Sequence, residues 1–232
     1  MTRTAVITGM GSGIGKATAH SLQRAGWRVV GLDLVGDEAC IATDVSDETS
    51  VRAAANTLKG EKIDGLVCAA GIWSKNDDRY ANVDMAIWRK TWEVNVTGTM
   101  LCVRHFAPLL KAGSGIVTFG SIAALTGMPR RDAYTASKGA IVALTRAWAT
   151  DLIRLGVRVN CIAPGVVATE MTAAQPGAGG LDLPLSRMAS PEEIADIVIM
   201  TLGDHATYLN GAIIPVDGGL TAASRFATIS PR

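Results

Sequence analysis

Charged residues are scarce in this 232-residue sequence, where they make up 19% of the positions, and the net charge is only +1. A chain so nearly neutral has no general electrostatic attraction to nucleic acid or to an anionic membrane, so neither is expected as a partner. The sequence also lacks an apolar run long enough to cross a bilayer. A glycine-rich stretch begins at residue 9, and no signal peptide is expected before it.

Cysteine and histidine are few and scattered. The four cysteines form no CxxC pair, and Cys68 and Cys161 lie in apolar runs, so buried free thiols are expected. Free thiols are typical of a reducing compartment, which predicts a cytoplasmic location. His20, His105 and His205 are far apart and show no metal-ligand spacing, so no metal site is expected.

Short apolar runs alternate with helical patterns along the whole sequence. This alternation predicts an α/β fold, a single doubly wound Rossmann-type parallel sheet with helices on both faces. No composition shift or repeat divides the chain, so residues 1–232 are expected to form a single domain. Pro215 lies in the last apolar run, 211–217, and predicts an edge position or an edge-like irregularity for that strand, because proline cannot donate a ladder hydrogen bond.

The first predicted strand, residues 3–8, leads directly into the glycine-rich stretch 9–15, and a helical pattern follows. Glycines allow the backbone to approach a pyrophosphate, and the N–H groups and dipole of a helix start favour its charge. A mobile turn is the simpler interpretation, but four glycines in seven residues have few structural uses at a strand–helix junction. The stretch therefore predicts a dinucleotide phosphate site.

The second predicted strand ends at Asp33, 18 residues beyond Gly15. A carboxylate near this spacing bonds the adenosine ribose hydroxyls of a dinucleotide. The same charge repels a 2′-phosphate, and neither Ser12 nor Leu34 supplies a cation to neutralise one. Asp33 thus predicts NAD rather than NADP, although it could simply end a strand in a turn. A third strand end, 39–45, is expected to place Asp44 and Val45 against the adenine.

Tyr134 and Lys138 are four residues apart in a helical pattern, so their side chains are expected on the same helix face. A phenol has a pKa near 10, and a neighbouring ammonium favours the phenolate and lowers that pKa. Tyr134 is then a candidate general acid/base, and Ser121, at the end of an apolar run, a candidate active-site hydroxyl. The alternative is a solvent-facing helix turn, since this spacing also arises by chance.

Several loops are candidates for the substrate pocket. Trp73 lies in the polar loop 72–83. The sequence allows two interpretations, a side chain that lines a pocket and a side chain exposed to solvent. The proline- and glycine-rich connection about 170–189 predicts a flexible loop over the site. Arg130 and Arg131 most simply form a solvated loop, but they are also candidates for contacting a carrier protein or a small anionic substrate.

Taken together, these motifs resemble the short-chain dehydrogenase/reductase family over residues 3–219. The matching features are TGMGSGIG (8–15), Asp33, Asp44-Val45, Asn95, Ser121, YTASK (134–138), PGVVAT (164–169) and PVDGG (215–219). One departure is visible after the fourth strand, where the family often has Asn-Asn-Ala-Gly and this chain has Cys68-Ala69-Ala70-Gly71. The missing asparagine usually braces the central sheet, so this difference concerns stability rather than chemistry.

The resemblance implies specific roles for the catalytic residues. Tyr134 passes a proton to or from the substrate oxygen, Lys138 lowers its pKa and bonds the nicotinamide ribose, and Ser121 bonds the reacting oxygen. Asn95 helps to hold a water that links Lys138 to solvent. Residues 162–169 lie around the nicotinamide, and Thr169 bonds its carboxamide.

The resemblance also gives the set of cofactor-binding residues. They are Gly9, Ser12, Gly13, Ile14, Asp33, Asp44, Val45, Ala70, Gly71, Tyr134, Lys138, Pro164, Gly165, Val167 and Thr169.

The function that the resemblance implies is NAD-dependent interconversion of a secondary alcohol and a ketone by hydride transfer. A 3-oxoacyl-thioester reductase acting on acyl-carrier-protein or CoA substrates is the alternative enzyme. A non-catalytic nucleotide-binding regulator is a third hypothesis, disfavoured because Asn95, Ser121, Tyr134 and Lys138 are all present. A homotetramer, or a dimer, is implied, commonly through the helices near 84–110 and 131–155 and the last strand, with residues 220–232 possible interface residues.

Overall fold

The structure, a computed structural model, describes residues 2–173 and 183–222. Seven strands form one sheet in which every neighbouring pair is parallel. The strands are β1 (Thr4–Thr8), β2 (Arg28–Asp33), β3 (Cys40–Ala42), β4 (Ile63–Cys68), β5 (Leu110–Phe119), β6 (Arg158–Pro164) and β7 (Ile213–Val216). The predicted parallel α/β sheet is confirmed.

The strand order is β3-β2-β1-β4-β5-β6-β7, so the direction of winding reverses between β1 and β4. In open parallel sheets, ligands bind in the crevice outside the carboxyl ends of the strands at such a reversal. The topology therefore indicates where the site lies. Among the described residues β7 pairs only with β6, so the strand that contains Pro215 is at the edge, as predicted.

Helices cover both faces of the sheet. They are α1 (Gly13–Arg24), α2 (Glu48–Thr57), α3 (Met85–Trp92), α4 (Thr99–Phe106), α5 (Asp132–Asp151), α6 (Glu170–Ala173) and α7 (Pro191–Leu202). One apolar core joins α2 and α4 to the sheet, and a second core joins α1 and α7 to it. Because both faces of the central strands are covered, β1 and β4 are buried at every position, which explains why most of their residues are apolar.

The helical region predicted over 84–110 is not one regular α-helix. A π-helical segment, Glu93–Gly98, separates α3 from α4, and a short 3₁₀ turn follows α4. Asn95 lies in the π-helical segment, a type of irregularity that often occurs at functional sites. Glycine is required at the end of this segment, because a Cβ at Gly98 would lie 2.8 Å from Val45 Cγ2.

The predicted substrate loop and the tail are described only in part. Residues 170–173 form α6, and Ser190 caps α7 through a capping box with Glu193. The middle of the loop, 174–182, and the tail after residue 222 lie outside the described residues.

Within residues 2–173 and 183–222, no helix is both long and apolar enough to cross a membrane. All four cysteines are buried and free, as expected for Cys68 and Cys161.

A buried arginine closes the carboxyl end of α7. The Arg158 guanidinium donates to the carbonyls of Thr201 at 2.9 Å and Leu202 at 3.3 Å, and to Leu209 at 3.4 Å. Burial lowers the pKa of Arg158, yet the last carbonyls of a helix favour a cation. Arg158 thus ties β6 to the end of α7.

Replacing Arg158 with methionine is expected to lower the free energy of unfolding by about 2–4 kcal/mol, because buried carbonyls lose a charged donor. Urea unfolding at one fixed protein concentration measures this loss. The matched control is Arg52→Met on the exposed face of α2, expected to change stability by less than about 0.5 kcal/mol. Equal effects of the two substitutions would contradict the assigned role of Arg158.

Candidate active site

Residues predicted for the site converge on one edge of the sheet. Gly9 follows β1, Asp33 ends β2, Gly71 follows β4, Ser121 follows β5 and Gly165 follows β6. All of these positions are at the carboxyl ends of parallel strands, around the reversal between β1 and β4. The structure therefore brings the predicted cofactor and catalytic residues to one crevice.

The glycine loop forms a close junction between β1 and α1. Gly9 has φ +69°, and a Cβ there would lie 2.8 Å from the backbone of Ala70, so only glycine fits. Ser12 is the N-cap of α1, but its side chain makes no capping hydrogen bond. The Ser12 side chain therefore does not occupy the first N–H groups of α1. These N–H groups suit a phosphate site.

Asp33 reaches the glycine loop from the end of β2. Its carboxylate accepts the N–H groups of Gly11 and Leu34, both at 2.8 Å. None of the ion pairs within the described ranges involves Asp33. A carboxylate beside the glycine loop fits the ribose end of a nicotinamide dinucleotide, so the residues present fit this cofactor.

Asp44 and Val45, which follow β3, both make contacts with nearby protein groups. The Asp44 carboxylate accepts the backbone N–H of Ser46 at 2.8 Å and its hydroxyl at 2.6 Å, and these hydrogen bonds lower the pKa of Asp44. Val45 is buried and approaches Gly98. Their contact with an adenine stays a prediction.

Residues 164–169 form the wall opposite the glycine loop. The Gly165 N–H donates to the Val216 carbonyl at 3.0 Å, and Val167 forms a parallel bridge with Ala189. Thr169 faces the loop, since a Cβ built at Gly13 would lie 3.3 Å from its Cγ2. This arrangement places Thr169 beside the predicted phosphate-binding turn.

Tyr134 and Lys138 lie on the same face of α5, as predicted. Lys138 is buried, its Nζ is 5.7 Å from the centroid of the Tyr134 ring, and it donates to the Phe119 carbonyl at 2.9 Å. Burial lowers the pKa of Lys138 to about 8. Lys138 is therefore mostly charged at neutral pH and loses its proton as the pH rises through about 8.

The predicted direction of the Tyr134 pKa is wrong for the described structure. Burial raises this pKa, because the phenolate loses more hydration than the phenol does. A hydrogen bond with the Ser121 side chain and the charge of Arg131 oppose the rise. Lys138 is not among these causes, so the groups that favour the phenolate here are Ser121 and Arg131.

Asn95 braces the site through its side-chain amide. Its Oδ1 accepts the Ile72 N–H at 2.7 Å, and its Nδ2 donates to the Ile72 carbonyl at 2.9 Å and to Ser137 Oγ at 3.0 Å. The Ser137 hydroxyl in turn donates to the Tyr134 carbonyl at 2.7 Å. Asn95 therefore links the loop after β4 to α5, while its role in holding a water stays a prediction.

Asp77 supports the start of α5 and was not identified from the sequence. Its buried carboxylate accepts the backbone N–H of Ala133 at 3.2 Å and of Tyr134 at 2.9 Å. The N-cap residue, Arg131, makes no side-chain capping hydrogen bond. A carboxylate from a loop 57 residues away thus caps the helix that contains the candidate acid/base.

Replacing Asp77 with alanine is expected to destabilise the protein by about 1–2 kcal/mol, since two N–H groups at a helix start lose their acceptor. It is also expected to lower kcat by roughly tenfold to hundredfold, because Tyr134 shifts relative to the reacting atoms. Urea unfolding and steady-state kinetics measure the two effects.

Two variants provide controls for Asp77. Asp77→Asn keeps an acceptor oxygen and is expected to recover most of kcat. Asp78→Ala removes the partner of exposed Arg130 and is expected to change stability by less than about 1 kcal/mol. Unchanged kcat in Asp77→Ala would show that this cap does not position Tyr134.

The two loop arginines have different surroundings. Arg130 is exposed, with φ +59°, and its Nε lies 3.0 Å from the Asp78 carboxylate. Arg131 is half-buried, with its guanidinium carbon 4.8 Å from the Trp73 ring centroid. The interpretation of both as a solvated loop therefore holds for Arg130 and is wrong for Arg131.

Known proteins that resemble this chain include dehydrogenases and reductases, which is consistent with the geometry of the site. A family model described as enoyl-(acyl carrier protein) reductase matches residues 9–221. A cis-4-hydroxycyclohexanecarboxylate dehydrogenase of Sinomonas cyclohexanicum is 37% identical, over 95% of this chain and 97% of the relative. A 2-(S)-hydroxypropyl-CoM dehydrogenase of Xanthobacter autotrophicus is 38% identical, over 93% of this chain and 95% of the relative.

A solved structure is similar over nearly the whole chain. It is the 3-ketoacyl-(acyl-carrier-protein) reductase of Brucella melitensis complexed with NADH, with 28% identity and a TM-score of 0.87. The alignment covers 94% of this chain and 98% of that one. Since the family model and these relatives match almost from end to end, the chain belongs to the short-chain dehydrogenase/reductase family and is an oxidoreductase that interconverts alcohols and ketones with a nicotinamide cofactor.

Proposed function

We propose that the protein uses NAD to interconvert a secondary alcohol and a ketone, with Tyr134 as the general acid/base. The observation that carries this proposal is the convergence of Tyr134, Ser121 and Lys138 beside the glycine loop, at the sheet reversal. A bound nicotinamide would exchange a hydride with the carbinol carbon. The residues that hold the cofactor are the glycine loop, Asp33 and residues 164–169.

The protein residues handle the proton. The Tyr134 phenolate oxygen takes the proton of the alcohol during oxidation, and the phenol formed in this way is the acid that returns a proton to the ketone oxygen during reduction. Ser121 hydrogen-bonds the same substrate oxygen and stabilises the charge that develops on it. Ser121 and Arg131 favour the state in which the phenol has lost its proton, and Lys138, charged at neutral pH, would bond the nicotinamide ribose.

NAD is proposed over NADP because of Asp33. Its carboxylate is directed at the loop where the adenosine ribose would lie, and a 2′-phosphate there would place like charges together. The NADH in the similar Brucella melitensis structure is compatible with this preference.

A homotetramer or dimer is proposed from exposed apolar side chains. Met85 and Trp92 are exposed on α3, and Met200 is exposed on α7. Burial of such residues against a second copy would remove apolar surface from water. A cytoplasmic location is proposed from the four buried free thiols.

A 3-oxoacyl-thioester reductase is the second candidate, favoured by the similarity to the Brucella melitensis enzyme. It ranks lower because Arg130, one of the two candidate basic residues for docking a carrier protein, is paired with Asp78. Reduction of a 3-oxoacyl thioester with NADH at a rate above that of simple ketones would favour this candidate.

The experiment that tests the proposed function is a panel of secondary alcohols, hydroxycarboxylates, ketones and one 3-oxoacyl thioester. Each is assayed with NAD and with NADP at several pH values. We expect oxidation of secondary alcohols with NAD and much weaker activity with NADP. If no compound of the panel reacted with either NAD or NADP, the proposed function would be contradicted.

A further inference from the structure

Arg131 is a cation on an aromatic platform at the start of α5. Its guanidinium lies over the Trp73 ring at 4.8 Å from the centroid. Stacking uses the face of the guanidinium, whereas its five N–H donors lie along the edge. The cation–π contact holds the guanidinium over the ring, and its fork of donors suits a planar, two-oxygen anion.

The platform is built into the candidate active site. Trp73 follows Gly71, where a Cβ would lie 3.3 Å from Asn95 Oδ1 and 3.5 Å from Lys138 Nζ. Asn95 fixes the intervening Ile72 through both its N–H and its carbonyl. The position of Trp73 is therefore set by the same amide that braces the helix of Tyr134.

Arg131 is also close to the reacting group. It is the N-cap of α5, three residues before Tyr134, and its charge acts on the Tyr134 phenol. Asp77 fixes this helix start by accepting the N–H groups of Ala133 and Tyr134. The backbone of the helix start between Arg131 and Tyr134 is therefore fixed by Asp77.

The indole of Trp73 supplies a second observation. Its Nε1 is buried and has no hydrogen-bond acceptor in the part of the chain that the structure describes. A buried donor without an acceptor costs about 1–3 kcal/mol, so natural proteins rarely keep one without a use. The indole N–H is therefore a polar group of the platform that the described residues leave unsatisfied.

We propose that the substrate is a secondary alcohol, or the matching ketone, that carries a carboxylate, and that Arg131 on Trp73 binds this carboxylate. The proposal rests on the proposed function, because it names the substrate class of the same site. The carboxylate would bind at the start of α5 while the carbinol oxygen lies between Ser121 and Tyr134. Arg131 would then select for anionic alcohols over neutral ones.

The test compares hydroxycarboxylates of increasing chain and ring size with their methyl esters, which keep the carbinol and remove the charge. We expect the wild-type protein to prefer at least one acid over its ester by at least about tenfold in kcat/KM. A saturated carboxylate without a hydroxyl is expected to inhibit competitively with the alcohol, which reports binding independently of the chemistry of Tyr134.

Two variants, Arg131→Gln and the control Arg130→Gln, test whether Arg131 causes the preference for the acid. In Arg131→Gln, kcat/KM for the preferred acid is expected to fall by about 30-fold or more, since removing one partner of a desolvated charge pair costs 2–5 kcal/mol. The inhibition constant of the carboxylate should rise by a similar factor, and kcat/KM for the ester should fall by a clearly smaller factor, which is the part of the loss that acts through the Tyr134 pKa. Arg130→Gln, whose side chain pairs with Asp78, should change none of these.

Each contrary result has a separate meaning. Equal losses for acid and ester in Arg131→Gln would show that Arg131 acts through the Tyr134 pKa, and this would overturn the proposal. A wild-type protein that oxidises neutral alcohols and no hydroxycarboxylate would also overturn it, while leaving the proposed function intact. Failure with every alcohol and ketone would overturn the proposed function itself.

Discussion

Replacing Tyr134 with phenylalanine is expected to lower kcat for alcohol oxidation by about 10²–10⁴-fold, the usual contribution of a positioned acid/base. The substitution removes only the phenol oxygen, and the ring keeps its place over Lys138. Binding of NAD should remain, because the glycine loop and Asp33 are unchanged. Kinetics with the best alcohol of the panel and calorimetry with NAD measure the two quantities.

The matched control for this variant is Tyr80→Phe. Tyr80 is 85% exposed in the loop before α3, so loss of its hydroxyl should leave kcat unchanged. If Tyr134→Phe retained wild-type turnover, the assignment of Tyr134 would be wrong. If it lost NAD binding as well, the substitution would have disturbed the site rather than removed a proton carrier.

Asp33→Asn is expected to give the second large effect, a change of cofactor preference. The carboxylate accepts the Gly11 N–H in the glycine loop, where a 2′-phosphate would bring like charges together. Such a juxtaposition costs several kcal/mol, so the ratio of kcat/KM for NAD to that for NADP is expected to fall by about 10²–10³-fold in the variant. Part of the wild-type preference should also weaken at high salt.

The control for Asp33 is Asp37→Asn, a neighbouring exposed carboxylate that bonds only the Ala39 N–H within the described ranges. It should leave the cofactor ratio within about threefold of wild type. A wild-type preference for NADP, or an Asp33→Asn ratio equal to that of the wild type, would show that another group sets cofactor choice.

Local patterns were sufficient to predict the sheet and much of the site. The apolar runs of β1 and β4 reflect burial on both faces, and Pro215 marks an edge strand. Tyr134 and Lys138 share a helix face because one turn separates them. These features depend on neighbours in sequence, so the sequence alone could specify them.

Contacts between distant segments could not be predicted in the same way. The Asp77 carboxylate caps α5 from 57 residues away, and nothing near it in sequence indicates this. The direction of the Tyr134 pKa depends on burial, which spacing does not report. Arg130 and Arg131 are adjacent and chemically identical, yet the fold pairs one with Asp78 and places the other on Trp73.

Asn95 illustrates how a local irregularity can be noticed without being understood. An asparagine near a glycine within a helical pattern is unfavourable, and the structure places both in a π-helical segment. The reason is a distant partner, since the amide of Asn95 binds Ile72 and Ser137. The sequence could show that the segment was unusual, but only the fold shows what it contacts.

The most direct test of hydride transfer follows the hydrogen on the carbinol carbon. The wild-type protein is incubated with NAD and a secondary alcohol deuterated at that carbon, and the nicotinamide product is analysed by mass spectrometry. We expect the deuterium to be recovered in reduced nicotinamide, and Tyr134→Phe to slow this transfer by about 10²–10⁴-fold. Consumption of the alcohol with the deuterium released to water, or kept on the organic product, would contradict hydride transfer to the nicotinamide.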